Sequence, residues 1–553
     1  AFGQQHTIKA GYALNRLAND VEDDFLNGQF DVFWGEAFTR GSTVNQRGTY
    51  GYYIWQDGIR HNAKVNSRNQ GFYIQDAWQL NNRMNLNVGV RFENEFLPPY
   101  TQSYLGSKVK NPISFGWGDK IAPRFGFAWD VLGTGKWKLS ASYGHYYDVM
   151  KYEIARGSFG GDYWVSHVYK LDNPTALSTV SKGSPAGAGS LITEYDNRTL
   201  EIDNQGNLLS VDPGMKPYEQ REFTVTSTHQ FASNMVFSAR YTRKRLMRAL
   251  EDIGVLDAND NEVYITGNPG FGLRDRSINS LSGQKINLKA DTYLVPRAKR
   301  QYDGLEFRLD GRFNKGFARN LSYFASYTYS RLYGNYAGLA NSDENGRSDP
   351  GASRAFDLPY GNFDSKGNNV YGPLGTDRPH SFTFFGNYEL KNKLGLTNFS
   401  LSQVAYSGTP LTSEATVTVP VFFNGRGDLG RSDVFTQTDF LISHTINVTE
   451  RVKVKLDMNI QNLFNQAAVL NVRSRLNRNG NAVISDQQFF AGFDVNQYFF
   501  QPGSRDANGN LRTTNLLDPT YGLPGTRASG LTPEGSNAYQ GIRELRFGFR
   551  VTF

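Results

Sequence analysis

Residues 544–553, at the end of the chain, alternate strictly between two kinds of side chain. Apolar side chains recur at every second position, and charged, polar or glycine residues fall between them; the apolar set is Leu545, Phe547, Phe549, Val551 and Phe553. Because successive side chains of a β-strand point to opposite faces, this pattern predicts a strand with one apolar and one polar face. The strand also ends on an aromatic residue of the apolar set.

The same alternation recurs along much of the chain. It is clearest over residues 84–93, 120–131, 305–314 and 451–461. Segments of about ten residues suit a tilted strand that crosses a membrane, whereas strands of soluble sheets are usually about five or six residues long. The pattern therefore favours membrane-spanning strands.

The connections between these segments alternate between short and long. Tight turns are predicted near residues 81–82, 133–135, 233–234, 314–316, 392–394 and 449–450. Long polar segments lie between them, at about 97–118, 151–216, 248–299, 334–378, 411–433 and 466–538. This is the layout of an outer-membrane barrel, which has short turns at one end and long loops at the other. We therefore expect an all-β, antiparallel, up-and-down transmembrane barrel.

Counting back from Phe553 gives about sixteen strands. The strands from Asn69 onward are well marked, and the first three, near residues 6–17, 27–34 and 50–60, rest on weaker patterns. If the last strand ends in the periplasm, the tight turns are periplasmic and the long loops face outward.

Composition excludes several other classes of protein. No stretch approaches the roughly 18 consecutive apolar residues of a membrane helix. The chain has no cysteine, so disulfides and thiolate metal sites are excluded. The net charge is +7, but the basic residues alternate with apolar ones along strands instead of clustering, so we expect no nucleic-acid binding.

No catalytic constellation is recognisable in the sequence. The seven histidines are scattered, without the spacing of a metal site. We therefore expect no enzymatic activity, no metal and no cofactor.

Two aromatic-rich loop segments are the candidates for ligand contact. Aromatic rings interleaved with charged groups could stack on a sugar or hold a peptide, although packing within the loops or an aromatic belt at the membrane interface would give the same composition. The candidate residues are Tyr152, Arg156, Tyr163, Trp164, Phe489 and Tyr498.

Several motifs resemble those of TonB-dependent outer-membrane receptors, particularly the Oar-like group with a carboxypeptidase-regulatory-like domain. The segment 71–80 followed by 84–92 is similar to that family's "YxQDxW … LxLxxGxR" hairpin. The segments 377–384, 407–411 and 454–465 resemble its later strands, and 546–553 resembles its last strand. In outer-membrane barrels this closing strand, here with Phe549, Val551 and Phe553, serves as the assembly signal.

The resemblance implies a barrel of twenty-two strands that encloses a plug and recruits the TonB energy-coupling complex. We expect residues 1–553 to be the C-terminal barrel portion of such a receptor, with uncertain early strands in 1–66 and with the plug and N-terminal domain outside this chain. The implied partners are outer-membrane lipid and lipopolysaccharide, the barrel assembly machinery and an unknown extracellular ligand.

The expected function is import of a bulky solute (an oligosaccharide, a peptide or a chelated metal) across the bacterial outer membrane. Two alternatives remain open from the sequence. One is a passive porin, which about sixteen strands could nearly complete. The other is a surface or adhesion barrel that transports nothing.

Overall fold

One large antiparallel sheet dominates the structure, which is a computed structural model. It describes residues 5–20, 28–40, 42–56, 60–61, 65–104, 106–110, 113–152, 162–163, 165–181, 184, 189–196, 202–256, 262–271, 276–279, 285–288, 296–313, 315–316, 319–338, 356, 364, 370–416, 420–477, 494–505, 507, 511–524 and 538–553. In this part of the chain the sheet contains fourteen long strands, and each is paired with its neighbours in sequence. The expectation of an all-β, up-and-down antiparallel architecture is confirmed.

We number the long strands in chain order. They are β1 (Gln5–Asn19), β2 (Val65–Asn81), β3 (Met84–Leu97), β4 (Ile113–Asp130), β5 (Trp137–Tyr147), β6 (Glu219–Ala232), β7 (Met235–Arg248), β8 (Arg300–Arg312), β9 (Leu321–Gly334), β10 (His380–Asn392), β11 (Gly395–Tyr406), β12 (Phe435–Asn447), β13 (Lys453–Gln461) and β14 (Glu544–Thr552). The two-residue strand Gly372–Pro373 pairs with the end of β9.

The strand register places the alternating residues on two chemically different faces. Between β13 and β14, Leu456 lies opposite Phe549 and Met458 lies opposite Phe547, so apolar pairs share one face. Lys455 lies opposite Arg550 on the other face. A slip of one residue would exchange the two faces, so the sequence pattern itself fixes the register. We refer to these as the apolar face and the polar face.

The turns and loops follow the predicted order. Between β4 and β5, the carboxylate of Asp130 accepts hydrogen bonds from the N–H groups of Gly133 (3.0 Å) and Gly135 (2.8 Å). Both glycines have positive φ, a backbone conformation that is low in energy for glycine and strained for most other residues. The long connections all leave from the opposite end of the sheet, as the sequence predicts.

The described part of the large sheet has fourteen long strands and the short strand Gly372–Pro373, close to the expected sixteen, but two of the predicted early strands lie elsewhere. The strand predicted near 6–17 is β1, a full member of the large sheet. The segments predicted near 27–34 and 50–60 form strands Gln29–Trp34 and Gly51–Gln56, which pair with each other and not with the large sheet. Their length of six residues explains the difference, because it is about half of what a tilted membrane strand requires.

These two short strands belong to a second sheet, which we call the loop sheet. Its order is Leu191–Asp196, Val165–Lys170, Gly51–Gln56 and Gln29–Trp34. Two of its strands come from the connection after β1 and two from the connection after β5. The loop sheet therefore joins two loops that are far apart in the sequence.

In the described part of the loops the other elements are short hairpins, one pair of two-residue strands from different loops, and two short helices. The hairpin strands are Phe38–Arg40 with Thr43–Gln46, Ser103–Tyr104 with Ser107–Lys108, Glu251–Leu256 with Glu262–Gly267, Arg276–Asn279 with Lys285–Leu288, Ala415–Thr416 with Pro420–Val421, and Phe500–Arg505 with Leu511–Thr513. Arg60–His61 of the loop after β1 pairs with Asp162–Tyr163 of the loop after β5. A 3₁₀ helix spans Pro174–Thr179 and an α-helix spans Val495–Phe499. No helix in the described ranges is long and apolar enough to span a membrane.

Within the described residues the large sheet is open. There β1 pairs only with β2, and β14 pairs only with β13. In a membrane, backbone groups along such edges require partners, because lipid offers no hydrogen bonds.

Candidate functional site

The polar face of the large sheet is a wall of charged side chains, several of which form ion pairs. Arg91 pairs with Glu93 on the same strand, at 2.6 Å between Nε and Oε1. On β8, Arg308 and Asp310 form a two-bond pair at 2.7 Å. These pairs are at least partly exposed, so they contribute little to stability. Elsewhere on the same face cations lie side by side, as Lys455 and Arg550 do.

A groove of about 530 Å³ interrupts this wall on strands β2 to β5. Its floor is made by Gly89, Ala122 and Gly126. These residues have no side chain or only a methyl group, and they come from neighbouring strands. The gap between the flanking side chains is therefore a consequence of three small residues brought together by the register of β3 and β4.

Arg124 and Tyr146 stand at the rim of the groove. The guanidinium carbon of Arg124 lies 4.8 Å from the centroid of the Tyr146 ring, which is a cation–π contact. On the same wall, the hydroxyls of Ser142 and Thr224 are 2.5 Å apart. The groove thus combines a cation, an aromatic face and a hydroxyl.

A buried ion pair ties the loop after β5 to the end of the sheet. Lys120 pairs with Glu95, and their side chains are 0% and 2% exposed. Glu95 also accepts a hydrogen bond from the N–H of Met150 at 2.7 Å, and Lys120 donates to the carbonyl of Asp148 at 3.0 Å. Each charged group has the other as its ion-pair partner and one further hydrogen bond, and these contacts allow both charges to remain buried. The pair fixes the point where the long loop leaves the wall.

A second buried carboxylate organises the loops near β9 and β12. Asp377 is 2% exposed; it accepts a hydrogen bond from the N–H of Leu332 at 2.6 Å and pairs with Arg431 at 2.5 Å. Arg431 also donates to the carbonyl of Gly408 at 3.0 Å. A Cβ at Gly408 would overlap the carbonyl oxygen of Ser432. The segments 377–384 and 407–411 therefore lie close together. Asp377 is needed for the ion pair with Arg431, and Gly408 is needed because a side chain there would overlap the backbone of Ser432.

Aromatic residues form the core of the loop sheet. Tyr53 is fully buried, and its ring stacks on Tyr169 with centroids 5.3 Å apart. Burial, with the neighbouring Tyr169, raises the pKa of Tyr53 to about 12. The aromatic content of the loops at this end thus serves partly to build a packed body.

Only some of the predicted ligand-contact residues fall in the described part of the chain. Arg156, Trp164 and Phe489 lie outside the described residues, and Tyr163 is placed only as part of the short strand Asp162–Tyr163. The hydroxyl of Tyr152 donates to the carbonyl of Leu17 at 2.7 Å and lies 2.5 Å from the hydroxyl of Ser67. Tyr152 therefore bridges the long-loop ends of β1 and β2.

Tyr498 belongs to a different loop cluster. It lies on the helix Val495–Phe499 and packs, partly buried, against an apolar core that includes Phe499 and Phe423. This core joins the loop after β11 to the loop after β13. Among the described residues, Tyr152 and Tyr498 belong to separate packed clusters.

The side chains proposed as an assembly signal are exposed on the apolar face. Phe549, Val551 and Phe553 are 69%, 42% and 96% exposed. Phe549 and Val551 pair in register with β13, whereas Phe553 follows the last residue of β14. Such exposure suits contact with lipid or with another protein.

The sequence did not single out the groove or the buried pair Glu95–Lys120. Arg124 and Lys120 occupy polar positions of the predicted strand 120–131, so the alternation alone assigns them to the polar face. Nothing local in the sequence marks Gly89 and Gly126 as neighbours, since that depends on strand register. Among the described residues no group of three or more His, Asp or Glu side chains could hold a metal ion.

Comparison with known proteins identifies the family. A model of the outer membrane beta barrel domain matches residues 3–419, well over half of the chain. The chain is 27% identical over 489 residues to the "TonB-dependent transporter Oar" of Myxococcus xanthus, and the match covers 83% of this chain and 42% of that protein. The chain thus spans less than half the length of this relative.

Solved structures also match this chain over part of their own length. The transporter YddB from Escherichia coli matches with a TM-score of 0.45 at 13% identity, over 76% of this chain and 47% of that one. FpvA of P. aeruginosa, bound to heterologous pyoverdines, matches with a TM-score of 0.40 at 10% identity, over 99% of this chain and 49% of that one.

The family match and the two-faced antiparallel sheet agree with each other. The strands are long enough to cross a bilayer, and β13 and β14 place apolar residues opposite each other on one face. The chain belongs to the outer-membrane β-barrel domain family, and it is a multi-pass protein of the bacterial outer membrane that resembles TonB-dependent transporters.

Proposed function

We propose that the protein is a TonB-dependent receptor that binds a bulky solute outside the cell and imports it. The observation that carries the proposal is the similarity to a TonB-dependent transporter over 83% of the chain. The structure supports it with a polar wall suited to a water-filled interior and with long loops folded into packed bodies at one end. Transport, not catalysis, is the activity proposed.

The proposal includes an orientation and a set of partners. The tight turns face the periplasm and the long loops face outward, in contact with lipopolysaccharide. A plug segment outside this chain would couple the barrel to the TonB complex. These partners follow from the resemblance to the receptor family.

We also propose that the ligand is bound by the long loops, with Tyr152, Arg156, Tyr163, Trp164, Phe489 and Tyr498 as candidate contacts. The support is their place in long loops at one end of the sheet and the aromatic character of that end. Tyr152 and Tyr498 already take part in packing, so they would act by shaping the loop surface.

Energy-dependent uptake tests the proposed function. Cells with and without the full-length gene are grown in medium that contains a peptide digest, malto-oligosaccharides and ferric citrate, and mass spectrometry follows what disappears. We expect at least one solute class to be depleted faster when the gene is present, and we expect a protonophore to abolish that difference. A difference that survives the protonophore would indicate a passive porin. Equal depletion by the two strains, with altered adhesion, would indicate a surface protein.

Replacing Phe553 with alanine tests the proposed assembly signal. Because this side chain is 96% exposed, the change removes little packing. We expect several-fold less folded barrel in cells, measured as the heat-modifiable band in electrophoresis, but unchanged refolding of the purified protein into detergent. Thr552→Ala, on the polar parity, is the control and should assemble normally. Equal assembly of both variants would contradict the proposal.

A further inference from the structure

We propose that the groove on the polar face of β2 to β5 is a binding site for an anionic, planar group, such as an aryl carboxylate. That this group is part of a transported solute rests on the proposed import function; that the groove binds such a group does not. Three independent features support the proposal: charge, shape and ring contacts.

The charge feature is Arg124. Arg91, which also lines the groove, is neutralised by Glu93, and its guanidinium lies over Gly71, away from the groove floor. Arg124 contacts the ring of Tyr146 and, within the described residues, has no carboxylate partner. An exposed guanidinium of this kind can donate two parallel hydrogen bonds to one carboxylate. Asp76, the carboxylate in the groove lining, is bonded to His6 at 2.6 Å. Arg124 is therefore the charged side chain of the lining that, among the described residues, has no partner of opposite sign, and it favours an anionic ligand.

The cross-strand row through Arg124 extends this positive character. In register, Lys9 lies opposite Gln75, Gln75 opposite Gly89, and Gly89 opposite Arg124. Lys9 likewise has no carboxylate partner in the described part of the chain. Between Lys9 and Arg124 the row therefore contains only neutral groups. Beyond Arg124 it continues to Gly144 and Glu222, and Glu222 is paired with Lys244.

The shape feature is the groove's size and its flat, open floor. The groove volume of about 530 Å³ falls within the roughly 300–1,000 Å³ of sites that hold small organic ligands. An added Cβ at Gly126 would meet the nearest atom of Asn87 at 3.6 Å, an ordinary contact. A larger side chain at Gly126 would therefore occupy the groove without a forced clash at its first carbon.

The ring and amide contacts restrict the ligand further. Tyr146 offers an aromatic face beside the cation, which favours a flat group attached to the carboxylate. Gln75 and Asn87 carry amide donors on the same floor. A benzoate-like group would place its carboxylate on Arg124 and its ring along Tyr146.

The experiment is binding of 4-fluorobenzoate to the full chain in detergent, followed by fluorine NMR. The neutral 4-fluorobenzamide is the matched probe. We expect the benzoate to bind at least about tenfold more tightly, because a hydrogen bond to a charged group contributes more than a neutral one. Arg124→Gln should remove this preference, and Arg124→Lys should keep part of it.

Two further variants separate this site from general effects of charge and folding. Arg308→Gln removes an arginine on the same face that is paired with Asp310, and it should leave benzoate binding unchanged. Gly126→Val keeps Arg124 but fills the groove, and it should abolish binding of both probes. Each variant is first checked for a folded, heat-modifiable barrel.

Equal affinity for the two probes, or unchanged benzoate binding by both Arg124→Gln and Gly126→Val, would overturn the site. Arg124-dependent binding together with uptake that does not require the proton gradient would leave the site standing and refute its role in TonB-dependent import. The two failures are therefore distinguishable.

Discussion

Replacing Lys120 with methionine should destabilise the barrel by about 3–5 kcal/mol, the cost of breaking a buried ion pair by removing one partner. The change leaves the carboxylate of Glu95 buried at 2% exposure without its counter-ion. Its remaining contact, the N–H of Met150, cannot offset a full charge. We expect this loss to appear as a lower midpoint of thermal unfolding in detergent.

The double variant Lys120→Met with Glu95→Gln provides the decisive comparison. The glutamine amide introduced by Glu95→Gln is neutral and can still accept the hydrogen bond from Met150, so most of the lost stability should return. Arg546→Gln breaks a pair with Glu544 whose side chains are 66% and 50% exposed, and it should change the midpoint far less. If the single and double variants unfolded alike, the buried charge would not be the cause.

Replacing Tyr53 with alanine should cost about 3–5 kcal/mol of local stability, as is typical when a large buried aromatic side chain is truncated. Tyr53 is 0% exposed and packs within a cluster that includes Trp55, Tyr169 and Leu171. The loss falls on the loop sheet and not on the large sheet, because the two sheets do not share hydrogen-bonded strands in the described residues.

Limited proteolysis measures this local effect. Tyr53→Ala should be cut rapidly within the loops after β1 and β5, while the heat-modifiable barrel remains. Tyr50→Ala is the matched control: this tyrosine lies in the same loop but is 39% exposed, so the loops should remain resistant. Loss of the folded barrel in Tyr53→Ala, or equal cutting of the two variants, would contradict this assignment.

The large sheet could be predicted from sequence because its signal is local. The alternation in residues 305–314 or 451–461 sets both the strand and its apolar face, and tight turns bring successive strands together. The loop sheet could not be predicted in this way. Its strands Gly51–Gln56 and Val165–Lys170 pair across more than a hundred residues. The first lies in a segment predicted as an early barrel strand, and the second lies within the predicted long loop 151–216.

The candidate site could be predicted only in part, for a related reason. Arg124 was placed on the polar face by its parity in β4. The groove beside it requires Gly89 to lie opposite Arg124 and Gly126 to lie nearby, which is information about register between strands. Tyr146 lies at the long-loop end of β5, where the sequence indicated only an aromatic belt.

The loop sheet also constrains the order of events during assembly. Its two halves lie on either side of β2, β3, β4 and β5 in the chain, and pairing of those strands brings the halves close together. Because closing a long segment costs conformational entropy, we expect the loop sheet to form after the intervening strands have paired. In that order of events, an antibody specific for the completed loop sheet would recognise molecules in which the first five strands are assembled.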